Sequence, residues 1–271
     1  MIITALMENF CEKGGFRGEH GLSLRIQARS ADIVFDTGST GAFMENSRAL
    51  GFEPGPDNVV VLSHGHYDHS GGLAALFKGP RRPAVLYAGH GYDRKRFAVA
   101  GKERRSIGLP FSPRSDGLPD PFIVSFPEQL DEGIFILPAA EMKDGSKPLE
   151  RFRTEAEGGE ALDYFSDELS LAVIEEDGLS VVTGCAHRGI VNIVASARGL
   201  FPGIRLKAVI GGFHLSIAED GEIVRVASAL AGFDPGRIFC MHCTGVRGYA
   251  GIAAALPGRT AWLSCGSSVT I

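Results

Sequence analysis

Cysteine is scarce in this chain. Five among 271 residues (Cys11, Cys185, Cys240, Cys243 and Cys265) is an odd number with no framework spacing. That excludes a small disulfide-stapled scaffold and makes a reducing cytoplasm the expected compartment. No apolar run approaches the ~18 residues of a membrane span, and Glu8 interrupts the stretch from Met1 to Met7 before it reaches the length of a signal core. No membrane partner is therefore expected. Neither sign of charge dominates: 27 Lys and Arg against 32 Asp and Glu leave a net charge of −5, the wrong sign for nucleic acid as principal partner. Low-complexity tracts and solenoid-length repeats are absent. Hydrophobic residues at 44% and charged residues at 22% exclude disordered and fibrous classes. What the chain has in excess is glycine, 36 residues against a usual share of ~7%, so tight turns and close backbone approaches are expected.

Hydrophobic periodicity predicts alternating strands and helices. Ile2–Leu6 reads as a strand, as do the alternating Leu22, Leu24 and Ile26 and the run Ile33–Phe35 that leads into Asp36. Ala42–Leu50 suits a helix. Val59–Leu62 is a continuous apolar run, the pattern of a strand buried on both faces. Lys78 to about Asp163 is richer in proline, glycine and charge, with strand-like pieces at Ala84–Tyr87, Phe122–Phe126 and Ile134–Leu137. It reads as an elaboration on one domain spanning 1–271. Leu169–Ile174 and Leu179–Thr183 predict a hairpin. Helices are expected at Ile190–Arg198, Ile223–Ala231 and Tyr249–Leu256, with strands at Leu206–Ile210, Arg237–Met241 and Ala261–Ser264. The class is α/β, sheets covered by helices.

Three of the eight histidines crowd with an aspartate into His64-x-His66-x-Asp68-His69, directly after the buried strand. Residues two apart at a strand end point the same way, so His64 and His66 can grip one metal. Asp68 and His69, where the chain turns into a helix, are displaced enough to serve a second ion. Imidazole and carboxylate suit zinc, manganese or iron, and such a crowd of ligands on one loop is costly without an ion to compensate it. Gly71 and Gly72 let the following helix approach the loop. His214 ends a strand after two glycines and is a candidate for metal or substrate contact. Asp68 and His214 are the candidate catalytic groups.

The His-x-His-x-Asp-His motif after a buried strand resembles the metallo-β-lactamase superfamily. More closely, the chain is similar to its branch of dihydropterin methyl-aminobenzene ribofuranosyl phosphate synthases. The stretches that carry the likeness are Glu19–Ser23, Phe35–Gly38, Leu62–Leu73, Asp167–Leu169, Thr183–His187, Gly211–Leu215 and His242–Gly245. The resemblance implies an αββα sandwich with two divalent ions, zinc or else magnesium, manganese or iron, at one edge of the two sheets. It implies His187 and His242 as further ligands, and Cys185 where relatives place a bridging aspartate. Asp36 becomes a carboxylate that orients a ligand histidine, and His20 a wall residue facing substrate.

What the resemblance implies chemically is a small anionic substrate, a pterin diphosphate, joined to an arylamine with loss of pyrophosphate. Hydrolysis of a phosphoester, lactone or thioester on the same metals is the alternative, and metal or pterin binding without catalysis a third. The basic run Arg94, Lys95, Arg96, Lys102, Arg104 and Arg105 can hold a phosphate tail or simply be solvated. Ala139–Lys143 departs from the branch, where an arginine is expected. Asp36-Thr37-Gly38-Ser39 matches the aspartic-protease tetrapeptide, but that chemistry needs two facing carboxylates and only one copy exists. Cys240-x-x-Cys243 reads as packing, since no second pair accompanies it. His90 has no motif around it. A homo-oligomer is compatible with everything above.

Overall fold

The structure, a computed structural model, describes residues 1–29, 31–79, 81–113 and 117–271. An antiparallel meander of β1 (Ile2–Met7), β2 (Ser23–Ala28) and β3 (Ala31–Phe35) opens the chain. Helix α1 (Ala42–Ala49) leads to β4 (Val59–Val61), parallel to β3. Helices α2 (Tyr67–Ser70) and α3 (Leu73–Lys78) then lead to β5 (Val85–Gly89), parallel to β4. Next comes a hairpin of β6 (Arg96–Ala100) and β7 (Glu103–Ser106), followed by β8 (Phe122–Val124), β9 (Glu128–Asp131), β10 (Ile134–Leu137), β11 (Phe152–Ala156) and β12 (Gly159–Leu162). The hairpin β13 (Ser170–Glu175) and β14 (Gly178–Thr183) precedes α4 (Ile190–Leu200), β15 (Leu206–Gly211), α5 (Asp220–Gly232) and β16 (Arg237–Cys240). A 3₁₀ turn at His242–Thr244, α6 (Gly245–Ala255), β17 (Thr260–Trp262) and β18 (Ser268–Thr270) complete the chain.

Two seven-stranded sheets result, in the orders β18-β1-β2-β3-β4-β5-β8 and β17-β16-β15-β14-β13-β10-β9. Period-two alternation explains how they stack. Ile33, Phe35 and Val61 of the first sheet share one core with Val182, Ala208, Ile210 and Phe239 of the second. The alternate residues of the first sheet, Val34 and Val60, pack outward against Phe43 of α1 and Leu73, Leu76 and Phe77 of α3. Those of the second sheet, Val181, Val209 and Ile238, pack outward against α4, α5 and α6. Four layers follow, helix, sheet, sheet, helix. Strands buried on both faces are apolar at nearly every position, which is why Val59-Val60-Val61 and Ala208-Val209-Ile210 stand out in the sequence.

The segment 78–163 is divided between layers. Strands β5 and β8 complete the first sheet and β9 and β10 the second, while β6, β7, β11 and β12 form a separate four-stranded sheet, β12-β11-β6-β7. Of that third sheet the sequence reading found no strand. Glu103–Ser106 and Gly159–Leu162 are largely exposed and lack alternation, so strand pairing and the Arg104–Glu160 ion pair hold them rather than burial. Among the described residues no helix is long and apolar enough to cross a membrane.

Candidate metal centre

Parallel pairing fixes what stands at the strand ends. Phe35 is in register with Val61, so Asp36 and the Ser63–His64 step leave the first sheet side by side. In the second sheet Thr183 pairs with Gly211 and Gly211 with Cys240, which brings Cys185, His214 and His242 to the facing edge. These are carboxyl ends of parallel strands, where α/β sheets hold ligands. The backbone there is unusual: Asp36, Phe165, Ala186, His214 and His242 take φ between 47° and 61°. Residues held in such regions cost ~1–3 kcal/mol each and persist where function requires them. Gly71 has the role expected of it, since a Cβ there would lie 1.9 Å from the Ser39 carbonyl oxygen.

Asp36 is fully buried. Its Oδ1 accepts from the Ser63 N–H at 2.7 Å, and its Oδ2 from the Ser63 hydroxyl at 2.7 Å. Oδ2 also meets His69 Nδ1 at 2.6 Å, which aims His69 Nε2 at Cys185 Sγ (3.1 Å) and His242 Nε2 (3.2 Å). His64 Nδ1 lies 2.9 Å from the Ser63 hydroxyl, leaving Nε2 to face inward. Ligand atoms of His64, Cys185 and His187 lie within 4.8 Å of one another, as do those of His69, Cys185 and His242 and those of His20, Asp68 and His242. His66 stands beside the first group, its ring 4.6 Å from that of His64 and 4.8 Å from that of His187. His187 stacks on Phe165 at 3.8 Å, and its N–H donates to Glu168 Oε1 at 2.6 Å. His242 is held by Asn9 Oδ1, 2.8 Å from Nδ1, and donates its N–H to buried Glu8.

Whether these residues fit a metal can be judged from their unpaired atoms. Nε2 of His64, of His66 and of His187 and both ring nitrogens of His214 are buried without a hydrogen-bond partner among the described residues. Each such atom costs ~1–3 kcal/mol unless something binds it. Burial holds the His64, His66 and His187 imidazoles well below their usual pKa, in the neutral form that ligates. Burial pulls His69 down too, but the charge and hydrogen bond of Asp36 outweigh it and raise it to about 9. Burial raises the Asp68 carboxyl, yet hydrogen bonds from His20 and His242 overcome this and hold it well below the usual range. The neutral imidazoles of His64, His66 and His187, a thiol and an ionised carboxylate form a donor set for divalent transition ions, which His69 joins when an ion displaces its proton. The fit is good.

A cavity of about 150 Å³ opens onto this cluster, with His20, His214 and Cys185 in its wall. The third sheet adds Arg105 and Phe152 to the lining, with Ile107, just past β7, and Arg151 beside them. His64, His66, Asp68, His69, Cys185, His187, His242, Asp36, His20 and His214 are thus brought together. The basic run is not. Arg96 is buried against Asp163 (2.8 Å) and Asp167 (2.6 Å), Lys95 and Arg104 pair with Glu155 and Glu160, and Arg94 and Lys95 line a different cavity. Of that run only Arg105 reaches the metal cavity, because strand alternation in the β6–β7 hairpin sends neighbours to opposite sides.

Ala139–Lys143 contacts α4 and its approach, the Ala140 carbonyl accepting from Arg188 and the Lys143 N–H donating to Asn192 Oδ1 at 2.9 Å. The tetrapeptide's Asp36 faces His69, while Ser39 and Thr40 bind Glu19. Cys240 packs in the helix-side core, but Cys243 lies in the cavity wall, against the packing role expected of both. His90 is exposed elsewhere. Arg151, Glu8, Asn9 and Glu168 were missed as site residues. An acid closing an apolar strand at Glu8 was one usable signal.

A sequence model of the metallo-beta-lactamase superfamily matches residues 17–196. The 7,8-dihydropterin-6-methyl-4-(beta-D-ribofuranosyl)-aminobenzene-5'-phosphate synthase of Methanocaldococcus jannaschii is 31% identical over 244 residues, covering 86% of this chain and 83% of that protein. A crystal structure described as Tm1679, a metal-dependent hydrolase of the beta-lactamase superfamily, superposes with TM-score 0.87 at 30% identity, over 100% of this chain and 99% of the other. A diphosphatase of the PhnP family shares the fold at TM-score 0.56 and 12% identity, over 100% and 97% of the two chains.

Proposed function

The chain belongs to the metallo-beta-lactamase superfamily, and from that membership we propose that it is an enzyme carrying two divalent cations and acting on a small phosphorylated substrate. One cation falls to His64, His66, His187 and Cys185, the other to Asp68, His69, His242 and Cys185. The observation that carries this reading is the convergence of buried, unpartnered imidazole nitrogens from distant segments on one cavity. When bound, such ions polarise a phosphoryl oxygen, lower the pKa of water toward ~7 and neutralise charge on a leaving pyrophosphate.

The chain's own groups have separate tasks. Asp36 fixes the tautomer and orientation of His69 through Nδ1. His20 Nε2 lies 3.1 Å from Asp68 Oδ2, and the Asp68 hydrogen bond raises the His20 pKa, so this pair can hold a proton at the cavity wall. His214 stands where a substrate group would touch it. Arg105 and Arg151, exposed at the mouth, offer guanidiniums to a phosphate. Phe152 and Phe165 keep water from the His66 and His187 rings.

Likeness to the pterin synthase supports transfer: a hydroxymethyl-dihydropterin diphosphate and an arylamine ribofuranosyl phosphate form a C–N bond and release pyrophosphate. Likeness to the hydrolase, at a similar identity over the full chain, supports a second reading, attack by water. The test is pyrophosphate release from the pterin diphosphate by metal-loaded protein, with and without the arylamine. Acceptor-dependent release that stops on chelation and in His64→Ala is the expected result. Acceptor-independent release selects the hydrolase, and no metal-dependent turnover of either kind rejects the proposal.

A further inference from the structure

Cys243 has no part in the histidine-rich groups just assigned, yet its sulfur is built into the cavity wall beside them. Sγ of Cys185, Sγ of Cys243 and a ring nitrogen of His214 lie within 4.8 Å of one another. All three residues line the cavity. Both nitrogens of the His214 ring are buried and unpartnered among the described residues, and the residue is held at φ 52°. Its backbone N–H donates to Cys243 Sγ at 3.3 Å, a bond that favours charge on the sulfur. The chain also makes room for that sulfur: a Cβ on Gly212 would come within 2.6 Å of Cys243 Sγ, so only glycine fits there.

We propose that Cys185, His214 and Cys243 form a further cation position, thiophilic and adjacent to the histidine-held pair. Two sulfurs and one imidazole make a soft donor set, suited to zinc, cadmium or cobalt(II) and unsuited to magnesium or calcium, which need oxygen ligands. Three protein ligands with a fourth position open to a cavity are the composition of a zinc site that meets substrate rather than one that only braces a fold. Cys185 is shared with both neighbouring groups, so its sulfur links this position to them. One nitrogen of His214 can ligate while the other faces substrate. None of this depends on which substrate is turned over.

The test uses full-length, metal-free, reduced protein titrated anaerobically with Co²⁺ alone. A thiolate-to-cobalt charge-transfer band is expected in the near ultraviolet. It should fall in Cys243→Ser to the part that Cys185 supplies to the neighbouring cations, and vanish in the Cys185→Ser/Cys243→Ser double variant. Cys240→Ser, altered in the helix-side core, should keep the full band. A Cys243→Ser spectrum identical to wild type, or cobalt bound with no such band, overturns the proposal. Should the variants fold poorly, the unmodified protein decides: Cd²⁺ but not Mg²⁺ should slow alkylation of Cys243 by iodoacetamide, read by peptide mass spectrometry. Equal alkylation with and without Cd²⁺ contradicts the assignment.

Discussion

Asp36 touches no substrate-facing surface, yet its carboxylate sets the direction of His69 Nε2. Replacing it with Asn keeps the size and removes the charge, so zinc affinity measured by chelator competition should fall ~10–100-fold, the usual cost of losing such an orienting partner. Glu168 yields a pH prediction. Burial raises its carboxyl to about 7, above the unfolded value near 4.5, so the folded metal-free protein binds the extra proton in between. Its contribution is favourable below 4.5 and is lost as pH rises through 7, an effect on the order of 3 kcal/mol. Buried His64, His66 and His187, all lowered, slope the opposite way and His69, raised, slopes the same way, so the Glu168→Gln variant isolates the acid: the difference from wild type in urea-unfolding free energy should change by about that amount between pH 4.5 and 7. A pH-independent difference would refute it. At this scale the sequence was legible where ligands are close in the chain, as in His64–His69. It was opaque where contacts are remote: Gly65 donates to Asp167 across 102 positions and His242 to Glu8 across 234, and no local pattern encodes either.

Elements carry a different kind of information. Apart from the largely exposed β9 and β18, the strands of both large sheets were legible because burial on two faces favours apolar runs, as in Val59–Val61. The third sheet was not, since β7 and β12 bury almost nothing and exist through pairing with β6 and β11. Arg96 shows what this sheet does for the site. Its buried guanidinium binds Asp163 and Asp167, and Asp167 in turn accepts from the Gly65 N–H within the metal loop. Arg96→Met strands two buried carboxylates and should destabilise the protein by ~3–5 kcal/mol in denaturant unfolding. An unchanged midpoint would show that the sheet and the metal loop are not energetically joined.

For the molecule as a whole, the ligands come from both sheets, so bound metal should brace one layer against the other. Any ligand that binds only the folded state stabilises it by ~4 kcal/mol at a thousandfold excess over its Kd. Chelation should accordingly lower Tm by on the order of 10 °C, as read by calorimetry with and without added zinc. The central claim, that imidazoles from remote segments share a group of cations, is tested most directly by anomalous diffraction at the zinc edge on crystals of zinc-loaded protein. The account predicts one peak among His64, His187 and Cys185 and another among His69, His242 and Cys185. Zinc-bound crystals with no anomalous density at either position would contradict it.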